Sequence, residues 1–321
     1  MSANIFGDRF KFISFGESHG PAYGIVIEGM PANIKFDLDL LLKNLDRRRP
    51  GQDHYTTTRN ELDHPEILSG IFESKTLGTP ITVIVRNNDQ KSTDYTNIKN
   101  NPRNGHADDV WKNKFLHTDY RGGGRSSGRE TLCRVIAGSF AQMIFNDMKL
   151  KTEIKACAVK IGPHILSPTK DLPESIKDFL IQAKADGESY GGIIECRISH
   201  PVKNLGQPIF HKLKSDLGAA MLSLGAVEGF EFGAGFKAAD FKGTDFHHDS
   251  NSNNYGGIRG GISTGEEIIF NVAFKPTASI KDVSKLGRHD PCIIPRAIPV
   301  IEAMAWCVLA DHLLWMRTDQ I

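Results

Sequence analysis

Residues 105–131 read GHADDVWKNKFLHTDYRGGGRSSGRET, placing His106, Asp108 and Asp109 shortly before Arg121, three glycines, Arg125, Ser126, Ser127 and Arg129. A glycine turn lets backbone approach a ligand closely, and a helix starting directly after it aims free N–H groups and partial positive charge at the same point. Arginine forks in the turn and one helical turn later add the geometry for bidentate phosphate contacts. The stretch is therefore a candidate anion site, although a plain capped helix with solvated arginines has the same sequence. Neither G-x-x-x-x-G-K-[ST] nor G-x-G-x-x-G is present, so nucleotide hydrolysis loses its main support.

Other groups of this kind recur along the chain. DRRRPGQDHYTTTRN (46–60) is a second basic cluster at a predicted helix end, where the macrodipole favours cations with or without a ligand, and Arg103 precedes Gly105-His106. Three histidines have chemically suggestive companions: His19 in FGESHG, His106 in GHADD and His289 in GRHDPC. A positioned imidazole can move a proton near neutral pH, but for any single one of the three a satisfied structural hydrogen bond is the commoner reading. His106 and Asp108 could share a metal by strand alternation, yet no further ligand spacing completes a set, and no metal is expected. KPTAS (275–279) ends a predicted strand and offers a lysine and two hydroxyls to a phosphate, or simply exits to a loop.

The elements that must position these residues follow from hydrophobic periodicity. Short apolar or alternating runs predict strands near 9–15, 23–30 and 78–87, and again at IKACAVKIG, GGIIECRIS and EEIIFNVAF. Helices are predicted at DLDLLLKNLDRR, from Ser127 onward with a Ser127/Glu130 capping box, at roughly 209–224, and at roughly 298–317 with Pro299 in its first turn. Strands cluster instead of alternating with helices, which implies an α+β fold over a doubly wound parallel sheet. HHDSNSNNYGGIRGG (247–261) is expected to be a long loop.

Bulk composition is that of an ordinary globular enzyme. The 321 residues carry 40% hydrophobic side chains and a net charge of +1, with no charged tail to suggest a polyanionic partner. Five dispersed cysteines without a C-x-x-C pair read as reduced thiols, and MSANIFGDRF lacks a secretory pattern, so a cytoplasmic protein is expected. Glu302, Asp311 and His312 inside the late apolar segment suit a buried helix better than a membrane span.

Taken in order, FGESHG, DRRRPG, GHAD, DYRGGGRSSGRET, GGIRGGIS, KPTAS and GRHDPC resemble the signature blocks of the chorismate synthases, over nearly the whole chain. The resemblance implies a single α+β domain spanning 1–321, with long helices sandwiched between antiparallel sheets, assembled as a homotetramer. It implies a lyase that converts 5-enolpyruvylshikimate 3-phosphate to chorismate and phosphate by anti-1,4 elimination with reduced FMN. His19 is then the general acid at the departing phosphate, His106 stabilises the reduced flavin near N1/C2, and Asp290 assists proton movement near N5. Substrate falls to Arg48, His54, Arg103 and Arg129. FMN falls to Arg125, Ser126, Ser127, Gly225, Ala226, Gly260, Lys275, Pro276, Thr277, Ala278, Ser279 and Arg288.

The chain departs from the family pattern in having His54 where a second arginine is usual, Asn104 before GHAD in place of proline, and a short IKDVSKL between KPTAS and GRHDPC. The resemblance also implies a flavin reductant, NADPH or an external reductase, and no additional flavin reductase segment is evident. Two alternatives make different demands. A metal-dependent phosphohydrolase would use His106, Asp108 and Asp109. An RNA-binding protein would use RRRPG and RGGGR, without the interleaved aromatics that single strands prefer.

Overall fold

The computed structural model describes residues 3–49, 63–87, 103, 105–169, 171–248, 253–281 and 289–319. The amino-terminal part supplies β1 (Ile5–Phe6), β2 (Lys11–Phe15), β3 (Ala22–Glu28), helix α1 (Leu38–Arg48), β4 (Pro65–Ile67), the pair β5 (Ile71–Phe72) and β6 (Lys75–Thr76), and β7 (Ile81–Arg86). Next come α2 (Asp108–Phe115), α3 (Thr131–Asp147), β8 (Glu153–Ile161), β9 (His164–Ile165), α4 (Glu174–Ala185), β10 (Gly192–Ser199) and α5 (Leu213–Leu222). The last stretch holds β11 (Val227–Phe232), α6 (Gly243–His248), the hairpin β12 (Ile258–Arg259) and β13 (Ile262–Ser263), β14 (Ile268–Phe274) and the long α7 (Ile294–Met316).

Two five-stranded sheets result, ordered β1-β2-β3-β7-β4 and β11-β14-β10-β8-β9, and their described pairings are antiparallel. Helix α3 packs on β2 and β3 of the first sheet, α7 packs on β8 and β10 of the second, and α3 and α7 pack on each other. The architecture is thus the expected α+β sandwich with helices between antiparallel sheets. A buried cluster runs from Phe10 and Ile25 through Phe140 and Met304 to Phe270 and Val272.

Local sequence explains the layers. β14 alternates strictly between buried and half-buried positions, the period of a strand with one face on a core. Helices α3 and α7 are apolar on nearly every face, as helices enclosed on all sides must be. Their axes approach at Gly138, where a Cβ would lie 2.5 Å from the Ala303 Cα. α7 is long and apolar enough to cross a membrane, but it is buried between the sheets.

Three expectations change in detail. α7 begins at Ile294, with Pro295 in its first turn, and Pro299 lies inside the helix. The late helix predicted at 209–224 is confined to Leu213–Leu222. Ser127 caps a 3-10 turn over Gly128–Glu130 that precedes α3; its Oγ accepts the Arg129 N–H, while the Glu130 carboxylate turns to Arg134 at 2.8 Å.

Candidate functional site

The RGGGRS segment folds as a tight, irregular turn in which Gly122, Gly123 and Gly124 all have positive φ (59°, 83° and 51°). Side chains are also excluded by space. A Cβ on Gly122 would lie 2.5 Å from the His19 ring and 2.5 Å from the Ser18 Oγ. A Cβ on Gly123 would lie 2.8 Å from the His106 Cε1 and 3.2 Å from the Arg103 Nη2. The glycine turn therefore separates two histidines that stand 87 positions apart in the chain, one against each of two neighbouring residues.

His19 sits on the turn that leaves β2, beneath the glycine loop, and is buried. Around it lies a polar network inside the protein. Arg48, at the end of α1, donates from Nη1 to Asp63 Oδ2 at 3.2 Å, and Arg129 donates from Nη1 to Asp63 Oδ1 at 2.9 Å. Arg129 also donates from Nε to Asn87 Oδ1 at 2.9 Å, while the Asn87 amide donates to the Gly20 carbonyl at 2.7 Å. Arg125 joins the glycine turn to β2 by donating to the Gly16 carbonyl (3.1 Å) and the Ser14 Oγ (2.7 Å).

His106 occupies the opposite, more open wall. Its Nδ1 is 2.7 Å from Asp108 Oδ1, and Arg103 donates to both Asp108 oxygens at 2.8 and 3.0 Å. Asp108 is the first residue of α2, so the His106/Asp108 spacing comes from a turn entering a helix and not from strand alternation. Lys275 spans from the end of β14 to the Gly105 carbonyl at 3.0 Å. Behind it, the Thr277 hydroxyl donates to the Asp290 carbonyl at 2.8 Å, and Asp290 is held by Arg296 (2.8 Å) and the Cys292 N–H (3.3 Å).

These walls enclose a cavity of about 950 Å³. Arg48, Arg103, His106, Arg125, Ser126, Ser127, Gly225, Ala226, Lys275, Pro276, Thr277, Ala278, Ser279 and Asp290 line it, drawn from six separated stretches of sequence. His19 and Arg129 lie behind the lining, in contact with it through Gly122 and Asp63. Gly260 stands in the β12–β13 turn, away from this cavity. His54, Asn104, Arg288 and most of IKDVSKL fall outside the described residues.

Known proteins resolve what such a cavity belongs to. Residues 10–314 match the family model for chorismate synthase. The chain belongs to the chorismate synthase family. It is 55% identical to the chorismate synthase of Bdellovibrio bacteriovorus and 41% identical to that of Christiangramia forsetii, covering 100% of both chains in each case. A crystal structure of a chorismate synthase superposes with a TM-score of 0.77 at 28% identity, over 97% of this chain and 93% of the other. As in its relatives, the activity is that of a chorismate-forming lyase of aromatic biosynthesis.

In this chorismate synthase family member the charges are not independent. Burial alone would raise the Asp108 carboxyl, but hydrogen bonds from His106 and Arg103 outweigh it and hold the group well below the usual carboxylate range. Burial raises Glu17, on the His19 turn, against the attraction of Arg125. The Arg121 hydrogen bonds hold Asp119 down, partly opposed by burial. Cys133 is pushed up to about 12 by complete burial, which makes it a packing group and not a nucleophile.

Four polar residues of this region escaped the sequence reading: Asp63, Asn87, Arg134 and Arg296. Asn87 directly follows β7 and reads as turn punctuation, and Asp63 stands among other acids and histidines with no motif spacing. Arg134 and Arg296 lie on helices at apolar-periodic segments, where a single cation reads as the solvent face. Among the described residues no group of three His, Cys, Asp or Glu side chains is arranged to hold a metal.

Proposed function

We propose that the protein eliminates phosphate from 5-enolpyruvylshikimate 3-phosphate with reduced FMN held in the same cavity, using His19, His106 and Asp290 as its proton-handling groups. The observation that carries this reading is the convergence on one 950 Å³ cavity of separated cationic segments around a glycine turn flanked by two histidines. Ligand sites commonly measure about 300 to 1,000 Å³, so this one has room for two molecules.

The residues suit an FMN-sized dianionic cofactor. Arg125, Lys275 and Arg296 bring cations, and Ser126, Ser127, Thr277 and Ser279 bring hydroxyls to the same walls. The Arg296 Nε is a buried donor with no partner among the described residues, and Phe12, Ala226, Ile293 and Ala297 add an apolar surface for a ring. When bound, reduced flavin lends electron density to the substrate and recovers it, so that no net oxidation results.

The chain's own groups perform the rest. Arg48, Arg103 and Arg129 neutralise the substrate's phosphate and carboxylates, and His54 stands where a further cation is usual in the family. His19 gives its proton to the oxygen of the departing C3 phosphate, which avoids releasing a trianion into a buried site. His106, oriented by Asp108, would stabilise the reduced flavin, and Asp290, steadied by Arg296 and the Cys292 N–H, would assist proton movement beside it. Gly225 completes the proposed cofactor set as a position of close backbone approach, whereas Gly260, expected in that set, stands outside the cavity lining.

A cytoplasmic homotetramer supplied with electrons by NADPH or an external reductase fits five unpaired thiols and strongly exposed apolar side chains at Phe210, Phe236 and Ile165. The deciding experiment mixes enzyme, photoreduced FMN and substrate without oxygen and follows chorismate. Turnover should require reduced FMN and survive chelation of divalent metal. Metal-dependent phosphate release without flavin would replace this reading by the phosphohydrolase.

A further inference from the structure

We infer that Asp63 is a positioning residue for the reaction, fixing the spacing and aim of the Arg48 and Arg129 guanidinium groups that receive the substrate's anions. The inference rests on the substrate-binding reading of those two arginines given above. Asp63 is buried, with its side chain 1% exposed, and it gives one carboxylate oxygen to each arginine, at 3.2 and 2.9 Å. Its φ of 41° lies in the left-handed region, a conformation that a non-glycine residue keeps only where its surroundings over-determine it.

Sharing separates this from an ordinary buried ion pair. Two buried guanidinium groups meet one carboxylate, one on each oxygen, and Arg48 also lines the cavity through which an anion would arrive. The carboxylate thus holds two mutually repelling cations at a set separation. Arg129 is fixed from its other side by Asn87, whose amide grips the His19 turn, so the same bridge sets the anion grip relative to the proton donor. A misplacement of about 1 Å in such a grip can cost roughly 100-fold.

Asp63→Asn keeps the shape and removes the charge. Four quantities are compared with wild type: substrate KM and kcat with saturating reduced FMN, substrate Kd by calorimetry with oxidised FMN, FMN Kd by visible difference titration, and melting temperature. KM and substrate Kd should rise together by about 10-fold or more, with kcat and FMN Kd within about 3-fold, because an interaction made in both ground and transition states has been lost. Wild-type KM in a folded variant overturns the inference, as does a loss of FMN affinity in step with KM.

If Asp63→Asn does not fold, Asp63→Glu retains the charge and shifts it by one methylene. It should raise KM by about 3-fold or more at near-wild-type melting temperature, and an unchanged KM overturns the inference. Arg48→Ala is measured alongside. Unchanged KM there removes the substrate-binding reading itself, whereas raised KM with wild-type behaviour in both Asp63 variants removes only the role of Asp63.

Discussion

His19 and His106 press against adjacent glycines from opposite sides, yet their settings differ. His19 is 5% exposed, on a turn tied down by Asn87 and next to an arginine network that water barely reaches. His106 has a side chain 20% exposed and precedes α2, a helix with no buried residue. The inner wall is held by the scaffold and can fix geometry to a fraction of an ångström. The outer wall can adjust to what enters. A group that must meet a leaving phosphate belongs on the first, and one that must accommodate an arriving ligand belongs on the second.

Adding one methyl on either side of the turn tests this contrast most severely. Gly122→Ala and Gly123→Ala each force a positive φ, a cost of about 1 kcal/mol or more for an L residue. At Gly122 the added carbon meets a buried ring that has nowhere to go, and kcat/KM should fall by about 100-fold or more. At Gly123 it meets the more exposed His106, and the fall should be nearer 10-fold. Equal losses in steady-state assays would show that the two walls are equally rigid.

Removing the imidazoles themselves comes next. His19→Ala and His106→Ala should each lower turnover by roughly 10-fold to 10,000-fold with little change in melting temperature. Added imidazole should restore part of the His106→Ala activity, because that wall is open, and none of the His19→Ala activity. Rescue of both would place His19 within reach of solvent.

The smallest effect concerns Asp108. Its carboxyl is held below its ordinary value in the folded protein, so its stabilising contribution is complete above the unfolded value near pH 4 and disappears only as pH falls through the lower folded value. Denaturant titrations of wild type and Asp108→Asn should therefore differ by a constant amount above about pH 4 and converge at strongly acid pH. A difference that vanishes at neutral pH would mean that His106 and Arg103 do not hold this carboxylate.

How much of this was legible depended on how each residue earns its place. The strands and the helices α3 and α7 could be read from alternation and apolar spacing, because burial imposes a period on the residues themselves, whereas the layering of helices between antiparallel sheets was implied only by the family resemblance. The glycine turn could be read as well, since only glycine suits three successive positive φ values. α4 and α2 were missed, the one because its single apolar stripe is diluted by charges, the other because it buries nothing. Asp63 and Asn87 carry no local signal at all. Their importance arises from contacts with residues 15, 66, 67 and 42 positions away, a relation that only the folded chain expresses.

One carboxylate far from the cavity has a consequence for biosynthesis. Asp311, near the end of α7, accepts the backbone N–H groups of Asp8, Arg9 and Phe10 at 3.0, 2.5 and 2.7 Å. Those residues lead directly into β2, whose far end anchors Arg125 and carries the His19 turn. A ribosome must therefore add about 300 further residues before the lead-in to β2 acquires its clasp. Until that moment a growing polypeptide holds its acid and its cations in the right order but in no fixed place, and catalytic competence arrives only once α7 has been made.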